Sequence, residues 1–268
     1  MEVCSSRAGH ESLQHQLFHV TLGGKLYLSP TTETPQAVLD IATGDASWVL
    51  DYANQHPSAS VIANDTSHAQ LKTAAPNIVL DVGDANENWT YSCQFDFIHC
   101  RQHHRRIEER KLFEQGLMFL KPGGWMEMQE LCNPVTSDDG TLDEYSPLAK
   151  WGRLITEASA QLNRPVDNPT HYASWMRKAG FTNIETVVYK FPTNPWPNDE
   201  KGKLKGLWNL YNVIQRLDEF TTVLFTKVLG WSRGDVDAFL VDVRKQLQDK
   251  NTHAYWPVWV LCLQSFLG

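Results

Sequence analysis

A chain of 268 residues is long enough for one large α/β domain with insertions, or for a core with a helical cap. With 42% hydrophobic and 21% charged residues it has the balance of an ordinary globular protein, and it shows no internal repeat, low-complexity tract or disorder signature. A formal net charge of −7 is the wrong sign for a surface that tracks phosphates, so nucleic acid is not expected as a partner. The basic run from Arg101 to Lys111 is interrupted by Glu108 and Glu109 and reads as a solvated helix face.

The first residues, MEVCSSRAGHESLQHQ, lack the basic-then-apolar pattern of a signal peptide. The longest apolar stretch, Trp256 to Leu263, is too short to cross a bilayer, so no membrane partner is expected. Five scattered cysteines, none in a CxxC pair, predict a reducing compartment without disulfides or a zinc knuckle. A soluble, cytoplasmic protein is the expectation.

In chain order, LQHQLFHV followed by Gly23-Gly24 and KLYLSP reads as a short helix, a turn and an extended arm. AVLDIA (37–42) is a first strand, and a helix follows from about Ala46. SVIAND (60–65) is a second strand, NIVLDVGDA (77–85) contains a third, and FDFIHC (95–100) is a fourth. Apolar spacing predicts a helix from Ile107 to Leu120; KPGG (121–124) stops it, and WMEMQE (125–130) alternates as a fifth strand. Helices near 147–161 and 170–179 precede a strand at 183–191, a Pro-rich turn at 192–197 opens a helical stretch to about 249, and WPVWVLCLQ (256–264) is a last strand. The expected organisation is an arm or lid over 1–35, a Rossmann-like cofactor-binding core over 36–192 with cap helices at about 146–170, a helical cap over 193–250, and the core's final strand over 251–268. The late helices and the arm are expected to cap the carboxyl edge of the sheet, where open α/β sheets bind ligands.

The strongest constellation joins the first strands. Asp40 ends an apolar strand, and the following Ile41-Ala42-Thr43-Gly44-Asp45-Ala46 puts small residues at 42, 44 and 46, leaving room for a ligand against the backbone. The helix amino end offers N–H groups to an anion such as an amino-acid carboxylate. Asp65, after the second strand, suits the two hydroxyls of a ribose, and Gly83-Asp84-Ala85, after the third, can meet an adenine ring. Carboxylate, ribose and adenine in that order are the footprint of S-adenosylmethionine, or less well of a dinucleotide.

On LQHQLFHVTLGGKLYLSP, VLDIATG, VIANDTS, DVGDANENW, FDFIHCR, FLKPGGWMEMQE, the AGF at 179–181 and the WP at 196–197, the chain resembles the class I methyltransferases of fungal secondary metabolism. That group includes the methyltransferase-like global regulator of those pathways. The resemblance spans nearly the whole chain. It implies a Rossmann-like sheet of seven mostly parallel strands with an antiparallel last strand. It also implies S-adenosyl-L-methionine as cofactor, leaving as S-adenosyl-L-homocysteine. Contacts are implied for Asp40, Ala42, Thr43, Gly44, Asn64, Asp65, Asp84 and Ala85, with Tyr27 and Arg101 bordering the pocket. Two departures stand out. Ala46 occupies a position where the family has glycine, so the turn is expected to stay in ordinary backbone space or to relax. Asp45 stands where threonine is common, and would repel a cofactor carboxylate unless it caps the helix or meets the cofactor's ammonium.

Methyl transfer needs an aligned nucleophile, exclusion of water and sometimes a base. His103 and His104, just past the fourth strand, and Glu130, ending the fifth, are candidate bases; their plain alternatives are surface or pocket-shaping residues. His99 and His103 have helix-like spacing, but His99 sits in an apolar strand pattern and reads as a buried histidine, so no metal site is expected. Among ten tryptophans, Trp48, Trp89 and Trp125 read as core, whereas Trp151, Trp196 and Trp208 could wall an apolar acceptor pocket or simply pack helices. The expected partner is a small-molecule acceptor, methylated at oxygen, with the protein a monomer or homodimer. The alternatives are a cyclase or rearrangement catalyst on the same fold, and a regulatory subunit.

Overall fold

The computed structural model describes residues 7–66, 75–103 and 107–266. In chain order the elements are α1 (Arg7–Thr21), β1 (Ala37–Ile41), α2 (Ser47–Gln55), β2 (Ser60–Asp65), β3 (Ile78–Val82), β4 (Phe95–Arg101), α3 (Glu109–Phe119), β5 (Leu120–Leu131), α4 (Pro147–Gln161), α5 (Pro169–Ala179), β6 (Thr182–Pro192), α6 (Glu200–Lys227), α7 (Arg233–Gln248) and β7 (Tyr255–Gln264). The strands form one seven-stranded sheet in the order β3-β2-β1-β4-β5-β7-β6. From β3 to β5 every pairing is parallel. The bonds Ser265 N–H to Gly124 O and Cys132 N–H to Pro257 O run β7 against β5, so the last strand is antiparallel as the resemblance implies. Among the described residues no helix is long and apolar enough to cross a membrane.

By their contacts the residues fall into two compact units. One is sheet-centred: Leu22–Glu130, His171–Val187 and Trp259–Gly268. Its core joins Leu39, Ile41, Ile98, Met126 and Met128 of the strands to Leu112 and Phe113 of α3 and Tyr172 and Met176 of α5. Gly116 lets α3 lie close to β5, because a Cβ there would come within 2.8 Å of Met126 Sδ. The other unit is helix-rich: Met1–Thr21, Leu131–Thr170 and Val188–Val258. Leu17, Phe18, Leu148, Ile155, Phe225, Val236, Leu240 and Val243 make its core. Its helices start on strong caps: Ser146 ahead of Pro147 in α4, Asp199 in α6, and a Ser232–Asp235 capping box in α7.

One expected boundary is corrected. The helix stops just ahead of KPGG as expected, at Phe119, but the fifth strand, expected over 125–130, already begins at Leu120, so KPGG is its irregular first stretch. The register shifts there, with Phe95 opposite Leu120 and Phe97 opposite Trp125. The glycines thus admit a bulge in the strand, with Gly123 at φ 78°.

Candidate functional site

The turn after β1 departs from expectation. Ala42, Gly44 and Ala46 all lie in the left-handed region, at φ 58°, 63° and 65°. The turn therefore keeps the conformation that three glycines would adopt freely, with alanine at both outer positions. A left-handed alanine costs about 1–2 kcal/mol, so this loop stores strain that its surroundings must hold. The turn is closed by Thr43 Oγ1 donating to Asp40 O (3.1 Å) and Thr43 N–H donating to Asn64 O (3.1 Å). Asp45 takes the capping option: it accepts from Ser47 N–H (3.0 Å) and Ser47 Oγ (2.6 Å) at the start of α2. Its negative charge is answered by Arg101, at the end of β4, on which Asp40, Asp45 and Asp51 all act. Burial pulls the Arg101 guanidinium down to about 10, which leaves it charged at neutral pH.

Asp65 reaches across from β2, its Oδ2 accepting the Gly44 N–H at 3.0 Å, while its carbonyl accepts from Gly83 N–H (3.1 Å) after β3. The ends of three neighbouring strands are thereby tied together. Asn64 is buried and donates to Asp81 Oδ2 (2.8 Å), which also accepts from Tyr91 OH (2.7 Å). Asp84 is exposed and folds its own loop by accepting from Asn86, while Ala85 is buried. The Ala85 carbonyl takes bonds from Trp89 Nε1 and Gln115 Nε2, both 3.1 Å. Gln115 Oε1 in turn accepts from Trp89 N–H (2.8 Å), so α3 holds the loop after β3 in shape.

Asp40 is buried, with Oδ1 2.7 Å from His99 Nδ1 on the adjacent strand. His99 stacks on Trp48 with ring centroids 3.7 Å apart, and Trp48, Tyr52 and His56 continue the stack along one face of α2. Tyr27 stands apart from the other expected cofactor residues. It packs on Tyr52 and Phe97, and its hydroxyl lies 3.3 Å from His56 Nε2, beyond the last turn of α2.

His103 is buried between the ends of β4 and β5. Its N–H donates to Glu130 Oε1 (3.1 Å), and its Nε2 lies 3.4 Å from the same oxygen. Nε2 also lies 3.2 Å from Tyr172 OH, which donates to Glu109 Oε1 at 3.2 Å. The structure brings the candidates His103 and Glu130 together and adds Tyr172 and Glu109. His104 lies outside the described residues. The described residues hold no cluster of metal-ligating groups, and His99 is the buried histidine its strand pattern suggested.

Glu127 went unnoticed in the sequence. It is fully buried on β5, and its Oε2 accepts from Leu28 N–H, Ser29 N–H and Ser29 Oγ at 2.7–2.8 Å. Its Oε1 accepts from Gln129 Nε2 (2.8 Å), which also donates to Leu26 O (3.0 Å). The LYLSP segment is thus pinned to the sheet by a carboxylate. The signal was present in MEMQE, where alternation puts Glu127 and Gln129 on one face of a central strand.

Residues 13–186 match a family profile described as a methyltransferase domain. The chain belongs to this family. It is 59% identical over 93% of its length, and 79% of the relative's, to the probable methyltransferase tdiE of Emericella nidulans. It is 30% identical, over 91% of its length and 82% of the relative's, to the secondary metabolism regulator LAE1 of Cochliobolus heterostrophus. Its fold is similar to the phosphoethanolamine N-methyltransferase 2 of Haemonchus contortus solved with S-adenosyl-L-methionine. That likeness has a TM-score of 0.53 at 18% identity and covers 97% of this chain, which spans 57% of the length of the solved chain.

The methyltransferase family depends on S-adenosylmethionine, and the residues here fit that cofactor. The small-residue turn keeps its left-handed backbone, Gly44 is exposed, and Asp65 and Asp84 stand at adjacent strand ends. The three tryptophans expected as pocket wall all lie in the methyltransferase's helix-rich unit. Trp151 is buried, with its indole N–H on Thr221 Oγ1 (2.9 Å) and its ring edge-on to Trp256. Trp196 donates to Ala254 O and stacks on His253, and half-buried Trp208 packs on the helical core.

Proposed function

We propose that the chain transfers a methyl group from S-adenosylmethionine to a small hydrophobic secondary metabolite, with oxygen as the acceptor atom. The reading rests on one observation above all. Consecutive strand ends present a tight small-residue turn, Asp65, and Asp84-Ala85, in the order that an amino-acid tail, a ribose and an adenine require. The setting in secondary metabolism is supported by the relative named as a regulator of it.

The cofactor, when bound, supplies a methyl group already activated on a sulfonium. The chain's own residues do the rest. Asp65 accepts hydrogen bonds from the ribose hydroxyls, exchanging its present bond to Gly44 for them. The Asp84-Ala85 loop, stiffened by Gln115 and Trp89, meets the base. Arg101 balances Asp40 and Asp45 so that a third carboxylate is tolerated beside them. At the acceptor end, Glu130 takes the proton of a phenol or alcohol, and His103, with Nε2 at 3.4 Å, stabilises the protonated group.

Titration calorimetry with S-adenosylmethionine and S-adenosylhomocysteine tests the reading, and no binding at millimolar ligand would overturn it. Asp65→Ala should weaken binding by about 10-fold or more, and by more than His103→Ala does. Glu130→Gln should lower turnover while sparing cofactor affinity; unchanged turnover would clear Glu130 of the role of base. The 30%-identical regulator favours a second reading, action on protein partners. Isotopically labelled donor appearing in protein rather than in small organic molecules would select it.

A further inference from the structure

The strained turn raises a question of how it is held. A left-handed alanine persists only where its surroundings over-determine it, and two occur within five residues, at Ala42 and Ala46. Both ends of this segment meet the same side chain. Before the turn, Asp40 is bonded to His99 Nδ1 at 2.7 Å. After it, Trp48, in the first turn of α2, lies flat on the His99 ring, 3.7 Å between centroids and 4° from parallel. Trp48 is itself fixed from outside, its indole N–H donating to Leu26 O at 3.0 Å. All of Asp40, Trp48 and His99 are buried. The imidazole therefore spans from the last stretch of β1 to the start of α2, and the residues between them have little freedom to relax toward negative φ.

We propose that His99 is a positioning residue for the cofactor-binding turn, a brace from Asp40 to Trp48 that holds Ala42 and Ala46 in the left-handed backbone glycine would take unaided. The inference rests on the cofactor reading above and adds to it a residue that touches no cofactor. It makes the brace and the alanines interdependent. With glycines in the turn, the brace has less to do.

The test is a double-mutant cycle on S-adenosylhomocysteine affinity. His99→Phe keeps a ring for the stack and removes the bond to Asp40; it should weaken binding about 10-fold in the natural turn. In an Ala42→Gly/Ala46→Gly background the same change should cost less than about 3-fold. Equal losses in both backgrounds, or no loss in either, would overturn the brace while leaving the cofactor reading standing. Trp48→Leu, which removes the stack and spares the Asp40 bond, serves should His99→Phe not fold, with the same rescue expected. Hydrogen exchange without ligand is a separate readout. The Gly44 amide should exchange about 10-fold faster in His99→Phe than in the natural protein, and unchanged protection would reject the brace whether or not the cofactor binds.

Discussion

In the sheet-centred unit, Asp40, His99, His103, Glu109, Glu127 and Glu130 are all buried. Among the described residues of the helix-rich unit the buried polar groups, His15 aside, are amides and hydroxyls such as Asn194, Asn209, Asn212 and Thr221. Its charges work near the surface, where Lys190 meets Asp138, His253 meets Asp139 and Arg244 meets Asp218. The difference teaches where each unit's specificity comes from. Helix packing needs matched apolar volume and good caps, whereas a site for charged and polar ligands needs buried ionisable groups in fixed geometry. Such groups tolerate little disturbance, since each must keep its partners.

The sharpest way to break the contrast is Glu127→Ala. It leaves Leu28 N–H, Ser29 N–H and Ser29 Oγ without the carboxylate that accepts from them, and Gln129 Nε2 with Leu26 O alone. We expect a loss of about 4 kcal/mol in denaturant unfolding, and a loss below about 1 kcal/mol would show that the arm is not held this way. The matching change in the other unit is Leu240→Ala, which opens a cavity in a fully buried position. About 3 kcal/mol of stability should be lost, with cofactor affinity by calorimetry unchanged under conditions where the protein remains folded.

Smaller effects sharpen the same comparison. Ala42→Gly removes left-handed strain and adds freedom to the unfolded chain, for a net gain of up to about 1 kcal/mol by thermal unfolding; a loss would mean that the turn is not strained. The smallest effect concerns acid. The bond from His253 to Asp139, and from Lys190 to Asp138, holds both carboxyls below their usual range. Their folded values are depressed, so the stabilisation is complete above the unfolded value of about 4 and is lost as pH falls through the folded ones. Asp139→Asn should therefore lower stability slightly near neutrality, leave it unchanged in strong acid, and so flatten its decline below about pH 4, as read from urea midpoints across pH. An unchanged slope would remove Asp139 from the acid response.

Periodicity and turn residues made most elements legible, because each depends on a local pattern of burial and caps. The strands at 60–65 and 183–191, the helix at 147–161 and the stop at Gly180 needed nothing from distant parts of the chain. KPGG marked the end of α3 correctly but hid the start of β5: glycine and proline end elements by themselves, yet a neighbouring strand can carry a bulge through them. At the site, Asp65, Asp84 and the small-residue turn could be picked out as cofactor candidates from type and spacing alone. The conformation of Ala42 and Ala46 was not, since intrinsic preference opposes it and only surrounding contacts impose it.

What the sequence by itself determined is the order of strands and helices, the candidate cofactor residues and the pairing of a base candidate with each of two strand ends. Tertiary structure alone decided that Asp40 turns to His99, that Glu127 anchors the arm, and that His103 is shared by Glu130 and Tyr172. These are contacts between residues tens of positions apart. Their partners are chosen by sheet register and helix packing, which no local window of residues contains.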